Sequence, residues 1–330
     1  MKTGLKLLKW TSMGLGVLIV LFVAYVYARA NRTYDAPYLE ITASSDSTVI
    51  ARGRHLVFGP AHCTDWHTPE NEKDLVRAGQ EASLSGGVDF ETPVGTIYTP
   101  NITPDSETGI GLFTDAEIAR TLRYGVKRNG FALMDFMSLY DLSDQDLTAI
   151  ISYLRSSEPI HNVRPPHDWN FMGNAVRAFG MIKPMGDGDV PPAAPEDSTA
   201  AYGGYLARSV ANCRGCHTRR DQMTGEYIGD EFAGQLIVDV EDDEGNIKYL
   251  VTPNLTPDAE SGRIANWTTQ MFIARFRAGE LIPETIMPWG PYSRMTDLEL
   301  TAIYKFLQSL SPVKAEIVIP VGLVDKVPRI

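Results

Sequence analysis

Thr99-Pro-Asn-Ile-Thr-Pro-Asp-Ser-Glu-Thr-Gly109 returns as Thr252-Pro-Asn-Leu-Thr-Pro-Asp-Ala-Glu-Ser-Gly262, with eight of eleven positions identical at an offset of 153. Self-similarity at a fixed separation is the mark of one structural unit used more than once. Working outward, Asp144–Ser156 matches Asp297–Ser309 at the same offset, at seven of thirteen positions. Upstream the offset is 150: Gly53 pairs with Gly203, Leu56 with Leu206, Cys63 with Cys213 and His67 with His217. The expected organisation is an N-terminal segment (1–30), a first unit (46–160), a linker (161–200), a second unit (201–314) and a C-terminal tail (315–330).

Each unit reads as mainly helical with long loops. Gly53 to His62 and Gly203 to Asn212 are expected as short helices leading into the Cys–His segments. Thr114-x-x-Glu117 is a capping box opening a helix through Arg123, Thr296-x-x-Glu299 is another, and Ser143-x-x-Asp146 resembles one loosely. Leu147, Ile150, Ile151 and Leu154 share one helix face, as do Leu300, Ile303, Leu307 and Leu310, which is the period of a core-facing helix. The linker holds Pro165, Pro166, Pro184, Pro191, Pro192 and Pro195, a density that opposes a continuous helix or strand. Val238–Leu250 reads as an acidic hairpin with its tip at Asp242–Asn246, a solvated turn in preference to a docking patch for a basic partner.

The 330 residues carry 41 acidic and 30 basic side chains, a formal net charge of −11. That balance argues against nucleic acid, whose phosphates demand a basic face. At the N-terminus, Lys2, Lys6 and Lys9 precede an apolar run from about Met13 to Tyr27, followed by Arg29 and Arg32. Lysines ahead of the run place the N-terminus in the cytoplasm and send the remainder across the membrane. Ala28-Arg29-Ala30 offers a small-x-small cleavage site, but Tyr25, Tyr27 and Arg29 suit an interfacial belt, so an uncleaved anchor is preferred over a cleaved signal.

Three cysteines, Cys63, Cys213 and Cys216, do not make a disulfide framework. Cys213-Arg214-Gly215-Cys216-His217 is C-x-x-C-H, whose two thiols can add across the vinyl groups of one haem while the adjacent His supplies an axial nitrogen. The competing readings are a dithiol redox pair, which has no need of His217, and half a zinc site, which would need further Cys or His that the second unit lacks. For the sixth ligand the repeat arbitrates. Met287, in Met287-Pro288-Trp289-Gly290, pairs with Met134 at offset 153, whereas Met295 pairs with Leu142 and neither Met271 nor Met223 has a methionine partner. A methionine seen once is ordinary core; seen in both units after a histidine, it is a candidate ligand.

On these features the chain resembles the membrane-anchored, multi-domain cytochromes c of bacteria, including the cytochrome subunits of periplasmic dehydrogenases. They are Cys213–His217, the repeated Thr-Pro-Asn-(Ile/Leu)-Thr-Pro-Asp loop with Glu-x-Gly following, and Met-Pro-Trp before the last helix. The resemblance implies a mainly α fold, with two tandem class I cytochrome c domains after an N-terminal transmembrane helix. It implies haem c on the second unit through Cys213 and Cys216, with His217 and Met287 on the iron. The activity implied is one-electron transfer by haem domains in the periplasm of a bacterium, between a dehydrogenase or quinol-linked donor and a later acceptor. The expected partners are redox proteins and the inner membrane, with no nucleic acid and no small-molecule substrate besides haem.

Cys63-Thr64-Asp65-Trp66-His67 departs from this pattern only at Trp66, where the second thiol belongs. A unit that had lost its haem would leave a large apolar hole, costly in packing. The favoured reading is therefore a haem held by one thioether through Cys63, with His67 and Met134 on the iron. The alternatives are an empty first unit serving as a docking module, or a dihaem enzyme such as a peroxidase with a displaceable ligand. Each axial His needs an acceptor for its other ring nitrogen, and the two Thr-Pro-Asn loops are candidates. Asn101 and Asn254 are either propionate or ligand-loop contacts or ordinary turn residues. His161 and His167 are expected at the surface, with His167 beside Trp169 a candidate to cover a haem edge.

Overall fold

The structure, a computed structural model, describes residues 2–137, 139–186, 189–221, 225–241, 246–281, 285–315 and 322–324. Met223, most of the acidic hairpin tip and most of the C-terminal tail lie outside the described residues. The chain opens with α1 (Lys2–Arg29), a 28-residue helix with exposed apolar side chains along most of its length. Then come α2 (Ser47–Phe58), α3 (Cys63–His67), α4 (Lys73–Arg77), β1 (Asp89–Thr92), β2 (Gly95–Tyr98), α5 (Asp115–Tyr124) and α6 (Asp144–Ser156). A connecting stretch carries β3 (Asp168–Trp169) and α7 (Phe171–Ala178). The order then recurs as α8 (Ala200–Tyr205) with a π-helical turn (Leu206–Val210), α9 (Cys213–His217), β4 (Ile237–Glu241), β5 (Ile247–Val251), α10 (Thr269–Arg277), α11 (Trp289–Tyr292) and α12 (Asp297–Ser309), with β6 (Gly322–Val324) last.

The caps act as the sequence predicts. Thr114 and Thr296 close complete capping boxes with Glu117 and Glu299, while Ser143 accepts only from the Asp146 N–H. Two expectations need correction. The helix ahead of α3 starts not at Gly53 but at Ser47, where the Asp46 carboxylate accepts the N–H groups of Thr48 and Val49. The proline-rich linker is not without structure. α7 occupies its proline-free interior between Pro166 and Pro184, with Asn170 as N-cap, and β3 adds a third strand to the β1–β2 hairpin.

One close approach sets the geometry of each repeat. A Cβ on Gly53 would stand 1.9 Å from the Ala149 carbonyl oxygen, and one on Gly203 would stand 1.9 Å from that of Ala302. Glycine is what lets α2 cross α6, and α8 cross α12, backbone on backbone. Leu56, Leu147, Ile150 and Ile151 pack around the first crossing, and Leu206, Leu300, Ile303 and Leu307 around the second, all fully buried in one continuous core.

The two repeats meet through equivalent surfaces. Arg52 on α2 binds Asp146 of its own repeat (3.0 and 3.2 Å) and reaches Glu299 (3.3 Å) and the Tyr202 hydroxyl (3.1 Å) of the other. His55 Nε2 lies 2.9 Å from Glu299, and Tyr205 donates to Asp146 at 2.8 Å. Arg52 and Tyr202 are repeat equivalents, as are His55 and Tyr205, and Asp146 and Glu299. The contact is thus a pseudo-two-fold interface, in which the His55–Glu299 contact is mirrored by Tyr205–Asp146. The side chains of Asp146 and Glu299 are 4% and 3% exposed, so both charges depend on these partners.

Arg52→Ala removes the one guanidinium that faces both carboxylates, and breaking a buried charge cluster from one side costs about 3–5 kcal/mol; chemical denaturation of the variant should show a loss of that order. Gly53→Ala should cost about 1–3 kcal/mol by forcing α2 away from α6. A midpoint unchanged from the parent would show that the crossing is looser than described.

Candidate functional site

In each repeat the Cys–His helix is entered from a left-handed residue, His62 (φ 39°) before Cys63 and Asn212 (φ 46°) before Cys213. Asparagine tolerates this conformation, and the Asn212 side chain also accepts from the Gly215 N–H at 3.2 Å. Beyond the helix, Gly86 and Gly234 donate their N–H groups to the carbonyls of His67 (2.7 Å) and His217 (2.8 Å). Both have positive φ, 82° and 73°. A Cβ there would meet backbone of the Thr-Pro-Asn loop at 2.7 and 2.4 Å, so glycine allows that loop to lie against the histidine segment.

This approach brings the Pro100 carbonyl 2.9 Å from His67 Nδ1 and the Pro253 carbonyl 3.1 Å from His217 Nδ1. A carbonyl only accepts, so each Nδ1 carries the proton and each neutral ring keeps a bare lone pair on Nε2, the state a metal-ligating imidazole requires. Burial favours this neutral form. It pushes His67 down to about 4 against the opposing Pro100 hydrogen bond, and it lowers His217 in the same way.

Asn101 and Asn254 make ligand-loop contacts. The Asn101 side-chain oxygen accepts from the Thr103 N–H (2.9 Å) and hydroxyl (2.7 Å), and its amide donates to the Ile160 carbonyl (2.7 Å) and Thr108 (3.0 Å). Asn254 repeats the set with Thr256, Val313 and Ser261. Each asparagine ties the histidine-orienting loop to the chain leaving the last helix of its repeat.

In the first repeat, Cys63, Trp66, His67 and Met134 line one cavity of about 700 Å³, whose wall is mostly apolar. That volume lies in the range of about 300–1,000 Å³ usual for small-molecule and cofactor sites. Trp66 does not fill it; its ring packs in the wall against Phe90 (5.2 Å between centroids) and Phe136 (6.4 Å). His167, expected at the surface, is instead part of the same wall with Trp169 and Lys127, with Lys127 Nζ 3.0 Å from its Nε2. His161 is exposed, near Asp105 and Glu107.

The methionine segments also repeat. Phe136 N–H donates to the Met134 carbonyl (2.8 Å), as Trp289 N–H does to that of Met287 (2.7 Å), and Met287 packs half-buried against the core. Beyond each methionine the chain is held by an arginine that the sequence reading missed. Arg123, fully buried, donates to the carbonyls of Tyr140 (2.9 Å) and Leu142 and to Asp144 (2.7 Å). Arg277 binds the equivalent Ser293 (2.6 Å), Met295 (2.7 Å) and Asp297 (2.6 Å). The recurrence of Arg at an offset of 154 was the available signal.

The three thiols are unpaired. Burial pushes Cys63 and Cys213 up to about 12 and raises Cys216, which disfavours the thiolate that a redox dithiol needs. No group of three or more His, Cys, Asp or Glu suited to a metal ion occurs among the described residues, which leaves a zinc site without its ligands. Two thiols at C-x-x-C-H, a neutral imidazole with a free Nε2, and in the first repeat a large apolar cavity with a thioether in its wall suit haem c.

No protein-family model matches the chain. Among curated proteins it is 32% identical to the gluconate 2-dehydrogenase cytochrome c subunit of Pantoea cypripedii over 285 residues, 81% of this chain and 60% of the relative. It is 28% identical to the fructose dehydrogenase cytochrome subunit of Gluconobacter japonicus over 313 residues, 90% of this chain and 58% of that one. With the "diheme cytochrome c-type" protein of Cereibacter sphaeroides it shares 27% identity over 235 residues, 67% of this chain and 73% of the relative. The chain therefore spans less than two thirds of these dehydrogenase cytochrome subunits. The repeated histidine sites and these similarities converge: over most of its length the chain is similar to cytochrome c subunits of bacterial dehydrogenases and to a dihaem cytochrome c.

Proposed function

We propose that the protein is a membrane-anchored dihaem electron carrier, built as two tandem class I cytochrome c domains that pass single electrons from a dehydrogenase or quinol-linked donor to a later acceptor. The observation that carries this reading is the twofold occurrence of the His–Pro carbonyl bond, with a methionine segment in the same register of each repeat. Haem, when bound, supplies an iron couple that takes up and releases one electron at a time. Cys213 and Cys216 would hold it in the second repeat and Cys63 alone in the first, with His217 and Met287, and His67 and Met134, as the axial ligands. A His and Met pair would raise the potential of a bound haem, which suits an electron carrier.

What the chain contributes is order. The Pro100 and Pro253 carbonyls fix the imidazoles, Asn101 and Asn254 fix those carbonyls' loops, and Arg123 and Arg277 hold the segments beyond the methionines. The repeats also brace one another crosswise. A Cβ on Gly290, three residues after Met287, would stand 1.8 Å from the Val76 carbonyl on α4, and Arg220, three after His217, pairs with Asp135, next to Met134, at 3.8 Å. Tyr292 links the two Cys–His helices: its ring lies 5.4 Å from that of His62, and its hydroxyl donates to the Ala211 carbonyl. A rigid connection of this kind suits two centres that exchange electrons without rearrangement.

Membrane attachment is carried by α1. Its Lys6–Arg29 stretch is 24 residues with a mean hydropathy of 2.0 over its most apolar window and is 6% buried. At 1.5 Å per residue it extends about 36 Å, enough for a hydrocarbon core of about 30 Å. We place the N-terminus in the cytoplasm and both repeats in the periplasm, on the lysines before the span.

Intact mass of the purified protein should show two covalent haems, and its pyridine haemochrome spectrum should fall between the c-type and b-type forms because one vinyl stays unsaturated. A single haem mass with a pure c-type spectrum would leave the first repeat without haem and overturn the two-centre reading. Trp66→Cys should move the spectrum to the full c-type form at unchanged haem number. Met287→Ala should lower one of two midpoint potentials in a redox titration and leave the other near its parent value; two unchanged potentials would remove Met287 from the ligand set.

A further inference from the structure

α7 is built as an amphipathic helix, and its position relative to α1 says what its outer face meets. Its inner side is made of small residues: Gly173 and Ala178 are buried, and a Cβ on Gly173 would stand 2.1 Å from the Val94 carbonyl at the β1–β2 turn. Its outer side carries Phe171 and Met172, with Phe179 and Met181 just beyond, between 43% and 57% exposed. A contiguous row of large, half-exposed apolar groups marks a surface that meets a partner or a membrane.

The contacts with α1 fix the level. Phe171 packs against Phe22 (6.2 Å) and Tyr27 (6.3 Å), and Phe179 against Phe22 (6.2 Å) and Tyr25 (5.7 Å). The two phenylalanines are about 12 Å apart along α7 at 1.5 Å per residue, yet both meet the same two turns of α1. α7 therefore lies across α1, not along it. Phe22 is seven residues before Arg29, about 10 Å down the helix axis. With α1 perpendicular to a bilayer and Arg29 at its surface, the outer row of α7 sits at the boundary of headgroups and acyl chains, the depth of about 5–10 Å at which interfacial helices settle. Tyr25 and Tyr27 stand at the same level, where tyrosine rings are enriched.

The geometry points to α7 as an interfacial membrane helix that lays its Phe171, Met172, Phe179 and Met181 face into the lipid surface beside α1. This rests on the membrane-spanning reading of α1. The consequence concerns the first repeat. Arg177 of α7 lies over the Trp169 ring (5.1 Å) and the Phe131 ring (5.3 Å), and Trp169 with His167 forms part of the cavity wall. Tyr34 further ties the segment after α7 to the chain leaving α1, donating to the Ile182 carbonyl at 2.7 Å. Helix, cavity wall and span are thus one connected block, and the cavity of the first repeat is held at a set orientation against the bilayer instead of swinging on a tether.

The test is site-directed spin labelling of the full haem-loaded chain in phosphatidylcholine nanodiscs. Nitroxides are placed at Met172→Cys and Met181→Cys, with Leu18→Cys in mid-span and Asp74→Cys on the exposed face of α4 as references, and the unsubstituted protein as the labelling background. Power saturation with oxygen and with a water-soluble nickel chelate reads depth. Labels at 172 and 181 should show a several-fold loss of nickel accessibility relative to 74, with oxygen accessibility retained. Nickel accessibility at 172 and 181 equal to that at 74, with 18 protected, would overturn the interfacial helix while leaving the span intact. Exposure at 18 as well would remove the span, and the proposal with it.

Discussion

A neutral imidazole can offer a lone pair from Nε2 only when the proton is held on Nδ1, and here a backbone carbonyl holds it in both halves of the chain. The bonds from His67 to Pro100 and from His217 to Pro253 are short in space and distant in sequence, so much of each repeat is organised around making them. Glycine at 86 and 234 removes the Cβ that would keep the two segments apart, proline stiffens the loop that brings the carbonyl, and asparagine anchors that loop to the chain after the last helix. Pro100 and Asn101 also line the cavity of the first repeat, so the loop that orients the ring bounds the space beside it as well.

The pairing of the repeats follows from the same economy of surface. α2 and α6 form a crossing too tight for any side chain at Gly53, and side chains on their outer faces reach across to α8 and α12. Because the surfaces are related by descent from one unit, the contacts come in related pairs, with His55–Glu299 answered by Tyr205–Asp146. The presence of an arginine in one half and a tyrosine at the equivalent position of the other breaks the symmetry: Arg52 serves both acids, whereas the Tyr202 hydroxyl accepts from Arg52. Arg52, between two buried carboxylates, couples the two halves electrostatically across this interface.

The halves differ at the position of the second cysteine. Trp66 stands at the position of Cys216 and joins Phe90 and Phe136 in the wall of a cavity that remains large. With Trp66 where the second repeat has a cysteine, the pocket is open. The first repeat is also the one that carries the connecting stretch: β3 pairs with β2, and α7 packs against α1. The half with one thiol fewer is the half whose connecting helix packs against α1.

The sequence by itself determined the repeat, the C-x-x-C-H motif and its broken copy, the capped helices after Thr114 and Thr296, and the pairing of Met134 with Met287. These are local or self-referential signals, readable because periodicity, caps and identity at a fixed offset need no knowledge of neighbours in space. Only the tertiary structure decided which carbonyl receives each Nδ1 proton, that Asn101 and Asn254 serve the loop, that His167 lines a cavity, and that Arg123 and Arg277 clamp the segments beyond the methionines. It alone placed α7 in a stretch whose flanking prolines had argued for irregular chain, because the prolines mark the ends of that helix and not its interior. The physical reason is common to all of them: a hydrogen bond or packing contact made outside the regular elements depends on how the chain between the partners folds back, and side-chain chemistry states what a residue can do without stating what will stand opposite it.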